Sequence, residues 1–445
     1  MTASPRTPWL TWYGDDFTGS TDALETLAAN GLRAVLFLDI PAAADLRRFP
    51  GAQAIGLAGA SRSHGPQWMS QHLPPAFEWL RGLGAPLCHY KVCSTFDSSP
   101  TTGNIGRAIE IGRDVFHAPL VPVIAGAPAL GRYTVFGNLF AASGDAVYRI
   151  DRHPVMSCHP VTPMHEADLL RHLARQTPLR TALVSLPQML AGEAPPRLCH
   201  ELQQGTECVL LDVFDPRSTL EAGLALWPPP GPFSPFAAGS SGVEHALVAA
   251  WKQYGLLPAP APSPPIEPAD RIVVLSGSCS PGTWSQIRYA IDHGYAAFHV
   301  DPQPALASPD AFDTIAAEAL AALRASRSVV LYTSLDHTSH WLAALPEHHR
   351  NEARQQLGAR CGRLLRQVLQ HSGVRRAVVA GGDTSSHAGR QLDLVALAYR
   401  APLALGAPLC LAISVQPQFD GLEIVFKGGQ IGAADFFELA RTGRA

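Results

Sequence analysis

The chain contains no run of about 18 uninterrupted apolar residues, so no segment reads as a membrane-spanning helix. It has no C-x-x-C pair. Its eight cysteines (Cys88, Cys93, Cys158, Cys199, Cys208, Cys279, Cys361 and Cys410) are scattered, which reads as reduced, mostly core thiols in a cytosolic protein. Charge is scarce. Charged residues are 16% of the 445 and hydrophobic ones 47%, which leaves ample material to bury and no disorder signature. The net charge of −3 and the isoelectric point near 6.6 supply no general field for nucleic acid or a membrane surface, so neither is expected as a partner. The N-terminus, MTASPRTPWLTWYGDDF, lacks a basic start followed by an apolar run. No secretion signal is expected, and the location is read as cytoplasmic. Neither G-x-x-x-x-G-K-[ST] nor G-x-G-x-x-G occurs at the strand-to-helix turns, so neither the P-loop nor the dinucleotide fingerprint applies.

Eighteen histidines are present. His337, His340, His348 and His349 raise a metal site, but they fall around LDHTSHW and PEHHRNE without a clear i, i+4 helical pair. A surface or structural role is the preferred reading.

At this length two or three domains are expected. Short β-rich runs alternate with amphipathic stretches. WLTWYG, RAVLFL, AQAIGLA, LCHYKVC, PVIAG, RTALVSL and ECVLLDV read as strands, with STDALETLAANG and NIGRAIEIGRDVF as helices between them. RYTVFGNLFAA to VYRIDRH reads as a hairpin or an insertion over one end of the sheet. After WPPPGPFSP and a helical stretch at 242–251 comes LLPAPAPSPPIEPAD, whose prolines bar it from a sheet interior. The alternation then restarts with RIVVLSG, AAFHV, SVVLYTS, the long helix NEARQQLGARCGRLLRQVLQHSG, and RAVVAGG. The fold class is therefore α/β: two domains, 1–256 and 271–445, joined by a Pro/Ala-rich linker at 257–270. Each would be a mainly parallel sheet covered by helices, with the active site in the interdomain cleft.

In open α/β sheets ligands collect at the carboxyl ends of strands. Four segments have that placement. The first is GDDFTGS, with Asp15 and Asp16 adjacent. One aspartate can cap the following helix. A pair suggests that one orders substrate hydroxyls while the other accepts a proton. The second is YKVCSTFDSSPTTGNIG, where Lys91 ends an apolar strand and Ser94, Asp97 and a glycine-bearing helix start follow. This is a suitable surface for a carboxylate and several hydroxyls. Arg62, in GASRSH, could clamp that carboxylate bidentately. Alternatively, Lys91 or Arg62 pairs with Asp97 as structure. The third is SGSCSPGT, where Ser278 and Ser280 precede a helix and could cradle an anion. The fourth is AGGDTSS, echoed by KGGQIG. Gly381, Gly382, Gly428 and Gly429 permit close backbone approach, and Asp383 with Thr384 suits phosphate oxygens or a hydrated magnesium ion. The residues alone reach a two-domain α/β enzyme with phosphate loops, open to a kinase, an NAD-linked or phosphosugar-transforming enzyme, or a non-catalytic ligand-binding protein.

The ordered set GDDFTGSTD, YKVCSTFDSSPTTGNIG, HPVTPM, SGSCSPGTWSQI, AGGDTSS and FKGGQIG resembles the four-carbon acid sugar kinase family, which includes threonate, erythronate and 3-oxo-tetronate kinases. The resemblance implies an N-terminal acid-sugar-binding domain, a C-terminal nucleotide-binding domain, and ATP-dependent phosphorylation of a terminal hydroxyl with Mg2+. It places Asp15, Asp16, Arg62 and Lys91 on the substrate side, and Ser278, residues 381–384 and Gly428 on the ATP side. Asp16 is assigned as the base. Where a common family form has a glycine after GG[DE]TS, Ser386 and His387 stand here, which could narrow the nucleotide loop or mark a subgroup. GGDTSSHAGR and YRIDRHPVMSCHPVTPM resemble the subgroup of 3-oxo-isoapionate kinases, which act on a branched sugar acid. Self-association into a homo-oligomer stays open.

Overall fold

The computed structural model describes residues 7–159, 161–227, 234–257, 265–307, 310–334 and 347–444. The side chains of residues 304, 305, 307, 310, 311, 347–351 and 383 are outside the description. Of the histidine group, 337 and 340 lie outside the described residues, as do the side chains of His348, His349 and Asp383 and residues 258–264 of the expected linker. The chain divides into two compact units, Met1–Val35 with Ala42–Ala261, and Leu36–Pro41 with Pro262–Ala445. No helix among the described residues is long and apolar enough to cross a membrane.

Unit 1 is built on strands β1 (Leu10–Gly14), β2 (Ala34–Phe37, of which Leu36 and Phe37 count with unit 2), β3 (Ala54–Ala58), β4 (Leu87–Lys91) and β5 (Val121–Ile124). A small antiparallel sheet, β6 (Arg132–Val135), β7 (Asn138–Ser143) and β8 (Ala146–Arg149), follows where the sequence suggests a hairpin. The main sheet resumes with β9 (Thr181–Val184), β10 (Cys208–Leu211) and β11 (Phe236–Gly239), and its order is β2-β3-β1-β4-β11-β5-β10-β9. Every defined register from β3 to β9 in that order is parallel. The central strands are buried on both faces, which explains their continuous apolar runs: β1, β4, β5, β10 and β11 are buried throughout. The sequence reading missed β11. Its FAAG, only four residues long, follows a proline tract, yet it lies between β4 and β5.

Unit 2 contains β12 (Val273–Ser276), β13 (Ala296–His299), β14 (Val329–Tyr332), β15 (Arg376–Ala380), β16 (Leu394–Ala404), β17 (Ala407–Ser414) and β18 (Glu423–Lys427), in the order β13-β14-β12-β15-β18-β17-β16. The first five are parallel, and β17 and β16 continue antiparallel. The β16–β17 hairpin is a second element the sequence reading lacked. Under the parallel strands a core gathers Ile272, Val274, Ile287, Val330, Val378, Val425 and Phe436. All eight cysteines are free, and four of them, Cys88, Cys208, Cys361 and Cys410, are buried.

Candidate functional site

Parallel strands carry their outgoing loops to one edge of the sheet. In unit 1, Gly14 pairs with Ala58 of β3 and with Lys91 of β4, so the loops after β1, β3 and β4 leave side by side. Asp15 is tied into this edge: its N–H donates to Lys91 O at 2.8 Å, and its carbonyl accepts from Arg62 N at 3.0 Å. Asp16 is the N-cap of the helix Phe17–Ala29, its Oδ1 accepting from Gly19 N at 2.7 Å. Gly19 is required there. A Cβ would stand 2.5 Å from Asp16 Oδ1 and 3.3 Å from Lys91 Nζ.

Arg62 bridges both carboxylates. Its Nε and Nη2 donate to Asp15 Oδ2 and Oδ1 at 3.0 and 2.7 Å, and its Nη1 donates to Asp16 Oδ2 at 3.0 Å. The same Asp16 oxygen accepts Thr18 Oγ1 at 2.8 Å. Burial pushes the Asp15 carboxyl up to about 6, with Arg62 opposing and Asp16 reinforcing the rise.

Lys91 is 1% exposed. Its Nζ pairs with Asp22 Oδ2 at 3.2 Å and donates to Val92 O at 3.0 Å. Burial alone would lower its pKa, but Asp22 and Glu244 outweigh burial and the ammonium is held charged. Glu244 is itself buried against His89, Oε1 to Nδ1 at 2.6 Å.

Neither cation has a hydrogen bond or ion pair with Asp97 among the described residues, so the alternative pairing with Asp97 is not seen. Asp97 accepts instead from Thr95 Oγ1 at 2.5 Å and from Thr162 Oγ1 at 3.2 Å. Thr162 belongs to the 159–164 segment, and its N–H donates to His159 Nδ1 at 3.1 Å. Burial would raise the Asp97 carboxyl, but Arg62, Thr95 and His159 hold it below the usual carboxylate value. Between Thr95 and Asp97, Phe96 takes a left-handed φ of 55°, a conformation that costs an L side chain roughly 1–2 kcal/mol. Ser94 is half-buried in the same loop.

One expectation is corrected. The helix start at Ile105 is not an open anion surface, because Gln176 Oε1 takes Ile105 N at 2.8 Å and Asn104 Oδ1 takes Arg107 N at 2.6 Å.

In unit 2, the loops after β12, β15 and β18 converge. Ser280 Oγ and Thr283 Oγ1 both donate to Gly429 O, at 2.5 and 2.9 Å, and Thr283 Oγ1 lies 3.2 Å from Ser278 Oγ. Gly381 N donates to Lys427 O at 2.9 Å. The glycines fit by lacking side chains: a Cβ on Gly277 would be 2.0 Å from Thr384 Oγ1, and one on Gly429 2.5 Å from Ser278 Oγ. Gly381 has a φ of 112°, a region in which L side chains are strained. Helices Pro281–Asp292 and Gly382–Gln391 begin at these loops, so their first-turn N–H groups face the same place. Ser278, Ser280, Gly381, Thr384 and Gly429 are thus brought together, with Gly428 adjacent. Ser386 and His387 do not crowd this loop. Ser386 Oγ folds back to Gly382 O at 3.3 Å, and the His387 ring packs against Gly358.

Sequence reasoning missed Lys427 and Thr283. Lys427 is fully buried, its Nζ donates to Thr283 Oγ1 at 3.2 Å, and burial lowers its pKa to about 7. The signal was available: like Lys91, it is a lysine closing an apolar strand, VFK, directly before two glycines.

One unit with a carboxylate–guanidinium cluster and one with a glycine and hydroxyl cradle define a two-domain α/β protein that handles a polar small molecule and an anion. Residues 10–247 match the model of a sugar-binding N-terminal domain, and residues 273–437 that of a nucleotide-binding C-terminal domain. The chain belongs to the four-carbon acid sugar kinase family. It is 44% identical to a 3-oxo-isoapionate kinase of Paraburkholderia graminis, over 100% of this chain and 96% of that one. To a 3-oxo-tetronate kinase of Pseudomonas fluorescens it is 31% identical, over 99% and 98%. Two solved structures share the fold. One, from Salmonella typhimurium LT2, gives a TM-score of 0.77 at 23% identity, covering 98% of this chain and 99% of that one. The other, Haemophilus influenzae protein HI1011, gives 0.68 at 24%, covering 97% and 98%.

Proposed function

We propose that the chain is an ATP-dependent kinase that phosphorylates a terminal hydroxyl of a small sugar acid, with 3-oxo-isoapionate the first candidate acid. The observation that carries this reading is the 44% identity to a 3-oxo-isoapionate kinase, because it extends over the whole chain and so includes both loop clusters. The 31% identity to 3-oxo-tetronate kinases supports the broader class and a linear four-carbon acid as the second candidate.

In the proposed reaction the substrate hydroxyl attacks the γ-phosphorus of MgATP, the bond to the ADP oxygen breaks, and the hydroxyl proton passes to a carboxylate. Phosphoryl transfer needs alignment and charge neutralisation more than a strong base. Asp15 suits the proton acceptor better than Asp16. Its carboxyl is raised to about 6, near the working pH, whereas Asp16 is committed to capping the helix Phe17–Ala29 through Gly19 N. Arg62 keeps the two carboxylates together, and Lys91 supplies fixed positive charge beside Gly19. The loops at 277–280, 381–384 and 428–429 fit the phosphates, since their glycines let the three loops pack closely on one another and two helices start there. Magnesium would arrive with the nucleotide, with Asp383 as the proposed protein contact.

The test is coupled ADP release over 3-oxo-isoapionate, threonate, erythronate and their 3-oxo forms. Turnover of at least one acid is expected, with 3-oxo-isoapionate giving the highest kcat/KM. No turnover with any acid, together with no thermal shift on adding MgATP, would reject the reading.

A further inference from the structure

A guanidinium with free donors is the best match for a sugar-acid carboxylate, and the cations expected from the sequence are committed elsewhere. Arg62 uses its Nε/Nη2 edge on Asp15 and an Nη1 donor on Asp16. Lys91 is fully buried on Asp22 and Val92 O. Five arginines of unit 1 among the described residues are not exposed: Arg62, Arg107, Arg113, Arg132 and Arg149. Four of them pair with carboxylates, leaving Arg132.

Arg132 opens β6, just beyond the loop that leaves β5 at the carboxyl edge of the sheet. It is anchored through one nitrogen only. Nη1 donates to Leu130 O, Gly131 O and Ala142 O, at 2.9, 3.3 and 3.3 Å. Nε is buried without a hydrogen-bond partner, and Nη2 has none among the described residues. The vacant Nε/Nη2 edge is the one that takes a carboxylate bidentately. A buried, unpaired guanidinium donor is costly, and an incoming anion relieves that cost. Burial does lower the Arg132 pKa, and no carboxylate offsets it; the group coupling to it most strongly is Cys93. Cys93 couples in turn to Asp97 and Arg62, so Arg132 shares a neighbour with the loop that follows β4.

We infer that Arg132 is the carboxylate-binding residue of the acid site, receiving the substrate carboxylate on its free Nε/Nη2 edge while Nη1 holds the hairpin backbone. The assignment rests on the sugar-acid kinase reading. The two cations then have separate roles, Arg62 organising the reacting end and Arg132 recognising the acid end.

The experiment compares 3-oxo-isoapionate with its carboxamide, which keeps the shape and loses the charge. In the wild type the acid should be strongly preferred. In Arg132→Gln the KM for the acid should rise roughly 10- to 100-fold, the range for a lost charge-assisted hydrogen bond. The carboxamide KM and the KM for ATP should change less than about threefold, and Arg132→Lys should restore part of the preference. A purely structural clip would affect both substrates alike, and equal losses would overturn the assignment. Should the variants fail to fold, the wild type still decides. The acid, and not the carboxamide, should protect Arg132 from an arginine-specific dicarbonyl, mapped by peptide mass. Protection at Arg62 alone would overturn the assignment. If the wild type turns over a different acid of the panel, that acid and its carboxamide take the place of this pair; no turnover with any acid and no thermal shift with MgATP would reject the kinase reading itself, and this assignment with it.

Discussion

Arg62 and Asp15 form a two-point pair, with Nε and Nη2 donating at 3.0 and 2.7 Å to the two carboxylate oxygens. The pair is nevertheless insufficient to keep Asp15 in the ordinary carboxylate range. Burial raises it to about 6 against the opposing pull of Arg62, and the adjacent Asp16 charge adds to the rise. A base must be deprotonated to act, so kcat/KM should climb with pH through about 6 and level off above it. Asp15→Asn should lower kcat roughly 10²- to 10⁴-fold, the usual weight of a general base. Asp16→Asn keeps an acceptor for Gly19 N and should cost less than about tenfold in kcat. Steady-state pH profiles of both variants check this; an inactive Asp16→Asn beside an active Asp15→Asn would reverse the roles.

The alternation of apolar runs and amphipathic stretches made both parallel sheets legible, because strands buried on two faces have no polar alternation to obscure them. The β11 strand and the β16–β17 hairpin were not. FAAG is too short and too low in β-branched residues to signal a strand, and it is held in place by neighbours on both sides. The antiparallel hairpin carries register shifts that break its period. At the site, residue types at strand ends were legible while their partners were not. Sequence cannot tell that Arg62 commits its donors to Asp15 and Asp16, or that Gln176, over 70 positions from the helix start, closes the N-terminus at Ile105. Arg132 escaped because its significance is a missing partner, and only coordinates reveal that.

Gly381 stands at a φ of 112°, with Ser278 N and Thr384 Oγ1 each within 3.4 Å of where a Cβ would be. Gly381→Ala should therefore shift the loop at 381–384. ATP affinity should fall about tenfold or more, at a stability cost of roughly 1–3 kcal/mol, while acid affinity stays within about twofold. Isothermal titration with MgATP and with the acid separates the two. An unchanged ATP affinity would remove this loop from the nucleotide site.

Glu244 and His89 are both fully buried, and the other His89 nitrogen faces Gly239 O at 3.1 Å. Removing one member of such a pair strands the other, at a cost of about 3–5 kcal/mol. Glu244→Ala should show that loss in urea unfolding. It should also weaken acid turnover, because Glu244 is one of the charges that keep Lys91 protonated. A loss below about 1 kcal/mol would mean that the pair is not needed for the fold.

Lys427 is the mirror case, a buried cation that no carboxylate among the described residues pairs with. Its Nζ donates to Thr283 Oγ1 and lies 5.7 Å from the Phe436 ring centroid. Burial lowers its pKa to about 7 from the ordinary 10.5. Between those values the unfolded chain carries a proton that the folded chain has released, so this residue makes stability rise with pH from about 7 towards 10.5. Below about 7 both states are protonated, and the folded state bears the full burial cost. Lys427→Met keeps the volume and removes the titration. The wild-type gain in unfolding free energy between pH 7 and pH 9 should therefore exceed that of the variant by up to about 2 kcal/mol, given 1.36 kcal/mol per pKa unit. The variant should also bind MgATP more weakly, since the ammonium holds the Thr283 hydroxyl that bridges Ser278 and Gly429 O. Urea titrations at the two pH values decide it. An equal pH gain in both proteins would show that Lys427 does not titrate in this window.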